Sequence, residues 1–180
     1  MIIPFGGSTP QIAESAWVAP GATIIGDVVI GERTSVWPGA VIRGDYASVR
    51  IGSDVSVQDN VVIHCDEPLT IGNGVTIGHG AVVHCREVQD GALLGNNCTV
   101  LNAAVIGARA LVAAGALVAP REQVPPHSLV LGVPGKVRQL EPGQIERLHR
   151  EAEGPMTYWE NAQRYRAAGI EDRSTWGGER

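Results

Sequence analysis

The sequence predicts an all-β solenoid: a parallel β-helix of about six to seven triangular coils, followed by a C-terminal α-helical segment. Three observations lead there. First, an aliphatic residue recurs every six positions, at Ile12, Val18, Ile24, Ile30, Val36 and Ile42, then Ile51, Val57 and Ile63, then Ile71, Ile77 and Val83, then Val88, Leu94, Val100, Ile106, Val112, Val118, Val124 and Val130. Ile, Val and Leu make up 46 of the 180 residues, about a quarter, so an aliphatic residue at all twenty of these positions is far from chance even with three breaks in register. Second, a small or β-branched residue tends to follow four positions later, as at Ala16, Ala22, Ala40, Val61, Ala81, Cys98 and Ala104. Third, the chain is 44% apolar but only 4% aromatic and carries 23 Gly, so its core must be built from aliphatic side chains and Ala. A period of six fits neither the 3.6 of a helix nor simple alternation. It fits short strands joined by tight corners, each turning one aliphatic side chain inward. Three hexads close a triangular coil, and stacked coils bury a continuous aliphatic column while pairing their backbones with the coils above and below.

In chain order, a short lead-in precedes Ile12 and the repeat runs to residue 137, with breaks in register after Ile42, Ile63 and Val83. Residues 138–169 read as helical. Pro142 to Ala152 places Ile145, Leu148 and Ala152 at helical spacing, and Gly154-Pro155 interrupts the pattern. Thr157 and Glu160 form a capping box for a second helical stretch, which Gly169 stops. Its apolar face is expected to lie along the coil or along a neighbouring subunit. Residues 170–180 are polar and Gly-rich and read as a loose tail. The net charge of −5 opposes nucleic acid and anionic membranes as partners. No signal or transit peptide and no spanning segment is visible, which makes the cytoplasm the expected location. Three Cys do not form a secreted disulfide framework.

The register also sorts the polar residues into columns. His64 and His84 each follow a third-face aliphatic one coil apart, so they should stack about 4.8 Å apart at backbone level, with Arg43 in the same column one coil earlier. His79 lies two residues after Ile77, in the second-face column that holds Asp59. Roughly 15 Å of extended chain separates His79 from His84, so one subunit cannot close a three-histidine site. A neighbour that packs its second-face corner against this third face can close it, and repetition of that contact around a triangular section ends in a homotrimer. Three imidazoles with an open fourth position suit Zn²⁺ or a similar divalent ion, which lowers the pKa of water towards about 7. The same contact would set Arg43 against Asp59. Gln58 is a surface amide or a hydrogen-bond partner for the reacting water. Cys65, Cys85 and Cys98 read as packing residues, and His127 and His149 as structural or solvated.

At Arg43-Gly44-Asp45, Gln58-Asp59-Asn60, His64, and Ile77-Gly78-His79-Gly80 ending in His84, the chain resembles the gamma-class carbonic anhydrase family. The resemblance implies a left-handed β-helix, a trimer with its metal between subunits, and ligands at His64, His79 and His84. It implies an intersubunit ion pair at Arg43 and Asp59, an interface role for Asp45 and a water-contacting Gln58. An Asn on the C-terminal helix that helps hold CO₂ corresponds to Asn161, with Tyr158 beside it in the run Tyr158-Trp159-Glu160-Asn161. The metal implied is Zn²⁺ or Fe²⁺. The archetype carries a carboxylate after Arg-Gly-Asp and an acidic loop that exports protons. Here Tyr46 follows Asp45, and only Asp66 and Glu67 stand in a short insertion, as in the shorter bacterial subgroup.

The resulting expectation is metal-dependent interconversion of CO₂ and bicarbonate. Two alternatives stay open at the level of sequence. Hexapeptide-repeat acyltransferases and CoA-thioester hydrolases share the coil, and Gly132-Val133-Pro134-Gly135-Lys136-Val137 resembles their CoA-contacting exit segment. A trimeric scaffold could also keep the metal for assembly alone.

Overall fold

The computed structural model describes residues 1–152 and 156–171, so the expected break at Gly154-Pro155 and the expected tail beyond Glu171 lie outside the described residues. Three parallel ladders run the length of the molecule. The first face pairs Ile12, Ile30, Ile51, Ile71, Val88, Ile106 and Val124 in succession. The second pairs Val18, Val36, Val57, Ile77, Leu94, Val112 and Val130. The third pairs Ile24, Ile42, Ile63, Val83, Val100 and Val118, with Ile2 ahead of Ile24. The chain therefore makes roughly seven stacked coils, and the register residues are buried throughout except Ile12 at the open end, which is half-buried.

Two irregularities in register shape the functional face. Between Ile42 and Ile51 the strand Val41–Ile51 passes from the third face to the first, and its pairing with Thr23–Ile30 shifts between Gly26 and Val28, which leaves residues 45–48 as a bulge. Between Ile63 and Ile71 two extra residues push Asp66 and Glu67 outward as a small exposed loop.

The coil ends in a way the sequence does not announce. Ser128–Leu131 pairs antiparallel with Lys136–Gln139, which covers the edge of the last coil, so the helical segment starts at Pro142 rather than 138. Helix α1 spans Pro142–Ala152 and buries Ile145; Arg109 holds it through Glu146 at 2.6 Å, and His149 Nε2–H donates to the Arg109 carbonyl at 3.0 Å. Helix α2 spans Tyr158–Ala167 and starts with the expected capping box, Thr157 Oγ1 accepting from the Glu160 amide at 3.2 Å and Glu160 Oε2 from the Thr157 amide at 2.8 Å. It stops where expected: Gly169, at φ 75°, donates to the Arg166 carbonyl and Ile170 to the Tyr165 carbonyl, each at 2.9 Å.

Of the two expected placements for the apolar face of α2, the structure shows the one along the coil. Trp17 and Trp37 on the outer side of the second face meet edge to face at 4.9 Å between ring centroids, and Tyr165 and Tyr158 of α2 close on them at 5.5 and 6.2 Å. Trp17 Nε1–H donates to the Ile170 carbonyl at 2.9 Å. Four of the eight aromatics are thus spent on docking α2 and stay out of the coil interior. No helix among the described residues is long and apolar enough to cross a membrane.

The three thiols are unpaired and buried, and burial pushes the Cys85 and Cys98 thiols up to about 12. A thiol-reactive dye at pH 8 should therefore label none of them in the folded protein and all three after unfolding in guanidinium, which a mass shift per chain checks directly.

Candidate metal centre

The third-face ladder sets the centre. Because Ile42, Ile63 and Val83 point inward, their successors Arg43, His64 and His84 point outward in one column. The rings of His64 and His84 lie 5.1 Å apart between centroids, and His64 Nδ1 stands 3.2 Å from His84 Nε2. Two nitrogens that close require a proton or a cation between them. Two ligand nitrogens bound at 2.0–2.1 Å to a tetrahedral zinc would stand roughly 3.3 Å apart. The separation of these two nitrogens therefore suits a divalent ion bound by both.

The other side of the His64 ring is fixed by a carboxylate. His64 Nε2–H donates to Asp45 Oδ1 at 3.1 Å, which leaves Nδ1 as the free lone pair. Asp45 is held in turn by Arg43 Nη1 at 2.6 Å and by the Tyr46 amide at 3.0 Å. Burial alone raises the Asp45 carboxyl, but the hydrogen bond from Arg43, the backbone amides and the Arg43 charge outweigh it and hold the group below the usual carboxylate range. Arg43 thus pairs with Asp45 within the chain. Residues 45–48 pair with neither neighbouring strand, and this bulge begins with Asp45, beside Arg43 and His64.

His79 sits apart, on the corner between second and third faces. In that corner column the residue after it, Gly80, has φ 69°, and the equivalent Asn60 and Asn97 have φ 58° and 55°. A left-handed residue at this place turns the chain sharply and presents His79 outward, 52% exposed. Gly78, just before it, lets the next coil approach: a Cβ there would meet the Asn96 amide nitrogen at 2.8 Å. Asp59 one coil earlier accepts from His79 Nδ1–H at 2.9 Å, leaving Nε2 free to meet a ligand. Within one chain Asp59 therefore serves His79.

The remaining site residues fall on the second face or in the insertion. Gln58 is not a surface amide. It is 2% exposed, beside Trp37 in the same outward column. Tyr158 packs on Trp37 and Asn161 is half-buried on α2; among the described residues no hydrogen bond joins either to the histidines. Asp66, read in the sequence only as part of the shortened acidic loop, comes into the centre. Its carboxylate, His64 and His84 offer ligand atoms within 4.8 Å of one another. The signal that could have found it is the two-residue insertion directly after His64. His127 adopts a left-handed corner conformation and His149 bonds a carbonyl, both away from the centre.

Residues 9–44 match the family model described as bacterial transferase hexapeptide (six repeats). A carbonic anhydrase of Geobacillus kaustophilus is 46% identical over 173 residues, 93% of this chain and 92% of its own length. Gamma carbonic anhydrase 2, mitochondrial, of Arabidopsis thaliana is 36% identical over 80% of this chain, which spans 55% of that relative. A crystal structure of a hexapeptide transferase family protein from Anaplasma phagocytophilum superposes with a TM-score of 0.83 at 34% identity, covering 92% of this chain and 98% of that one. The chain belongs to the gamma-class carbonic anhydrase family within the hexapeptide-repeat proteins.

The corner that carries His79 is testable by itself. Gly80→Ala would place a Cβ against the Asn97 side-chain oxygen in a left-handed backbone. It should lower the unfolding free energy by about 1 kcal/mol or more in a urea titration.

Proposed function

We propose that the protein interconverts CO₂ and bicarbonate as a homotrimer, with Zn²⁺ or Fe²⁺ held by His64 and His84 of one subunit and His79 of the next. The observation that carries this reading is the 3.2 Å approach of His64 Nδ1 to His84 Nε2 on an outward face, while His79 is turned away from them on an exposed corner. Family membership supports the same assignment. The exposed Tyr46 and Val62 beside His64 supply apolar area for a subunit contact. When bound, the ion supplies hydroxide near neutral pH by lowering the pKa of water towards about 7.

The chain's own residues do the rest. Asp45 and Asp59 fix the tautomers and ring orientations of His64 and His79, and Arg43 holds Asp45 ionised. Across the subunit contact Arg43 would also face Asp59, adding an ion pair to the interface. Gln58 offers an amide on the second-face side, the side from which His79 arrives. Asn161, assigned to holding CO₂, and Tyr158 beside it lie on α2 over that same face, so the subunit that gives His79 also brings both. Asp66, 60% exposed and with Oδ1 3.9 Å from His84 Nε2, would carry away the proton released on each turnover.

Stopped-flow CO₂ hydration on protein purified without oxygen, with metal per chain measured on the same sample, tests the reading. The rate should rise in proportion to metal occupancy, and His79→Ala should abolish it. Absence of hydration at full occupancy would contradict the proposed activity. Asp45→Ala should weaken zinc binding by about 10- to 100-fold in chelator competition, because it frees the His64 ring.

A further inference from the structure

The centre holds one ligand more than the trimer needs. On a single chain, His64, His84 and Asp66 already bring two imidazole nitrogens and a carboxylate within 4.8 Å. Two histidines and one carboxylate make a complete protein ligand set for zinc or ferrous iron. Asp66 reaches the spot because the spacing from Ile63 to Ile71 is two residues longer than a hexad, which throws the loop outward directly after His64. Its position is defined: Oδ2 accepts from Asn102 Nδ2–H at 3.2 Å, and Oδ1 stands 3.9 Å from His84 Nε2. A carboxylate held beside two convergent nitrogens, yet 60% exposed, can swing the remaining distance without disturbing the coil.

Taking His64 and His84 as metal ligands, as proposed above, we infer that Asp66 is the third metal ligand of the lone subunit, and that His79 of a neighbour displaces it when the trimer closes. The ion then binds before assembly on a complete single-chain site. The arriving His79 exchanges a carboxylate for an imidazole and leaves Asp66 beside the centre as a free carboxylate. The two-residue insertion is thereby a loading device, and Asp66 and His79 are alternative occupants of one coordination position.

Co²⁺ binding to the full chain tests this, read by the visible absorption spectrum and by equilibrium dialysis with metal analysis, with oligomeric state followed by sedimentation. His79→Ala should still bind one Co²⁺ per chain, with a spectrum changed from that of the unsubstituted protein. Adding Asp66→Ala to His79→Ala should weaken binding further by more than about tenfold, the smallest loss that even an outer-shell partner typically causes. His79→Ala with Asp66→Asn should behave the same way while keeping an oxygen for Asn102. Thiol protection shows that each variant is folded. If His79→Ala and the double variants bind Co²⁺ with equal affinity and equal spectra, or if folded His79→Ala binds none, Asp66 is not a ligand and the inference falls while the three-histidine site stands. If the unsubstituted protein binds no Co²⁺, the three-histidine reading falls first and takes the inference with it.

Discussion

The stacking of Arg43, His64 and His84 depends on the parallel pairing of Ile63 with Val83 and of Ile42 with Ile63. Those side chains are fully buried in the aliphatic column, and burying each of them contributes about 1.5–3 kcal/mol. Because side chains alternate across a strand, the same pairing sets Arg43, His64 and His84 outward in one line. A slip of one residue would turn the histidines into the core and the aliphatics into water, so the hydrophobic column fixes the placement of the polar one. The 3.2 Å between two imidazole nitrogens follows from that stacking.

On this frame the carboxylates orient more than they stabilise. Arg43 and Asp45 are partly exposed, 38% and 18%, so their pair adds little to folding free energy. Its value lies in direction: Asp45 accepts from one nitrogen of His64 and thereby chooses the other as the free lone pair. Asp59 does the same for His79. Both histidine groups thus have ring orientations set within a single chain, and bringing them together requires only that two rigid surfaces meet. That division of labour suits a site shared between subunits, because neither half must fold around the other.

Much of this was legible in the sequence, and the parts that were not share a cause. The coil, its three faces and the column of His64 with His84 follow from a six-residue period that no helix or plain alternation can imitate. The capping box at Thr157 and Glu160 and the stop at Gly169 are local chemistry and also read correctly. What escaped were contacts created by departures from the period. Arg43 bonds Asp45 within the chain where residues 45–48 bulge out of the pairing, extra residues that a plain hexad does not contain. Asp66 enters the centre because an insertion bends towards it. Gln58 is buried beside Trp37 on the face that α2 covers, a tertiary contact with no local signature, and Lys136–Gln139 adds a strand that only the exposed edge of the last coil calls for.

The central claim is that a metal lies between subunits, on two histidines of one chain and one of another. Anomalous diffraction at the zinc and iron edges from crystals of the metal-loaded protein tests it most directly. The account predicts a single peak per subunit at coordination distance from His64, His84 and a neighbour's His79. A peak bound within one subunit of a closed trimer, or a peak remote from His64 and His84, would contradict it.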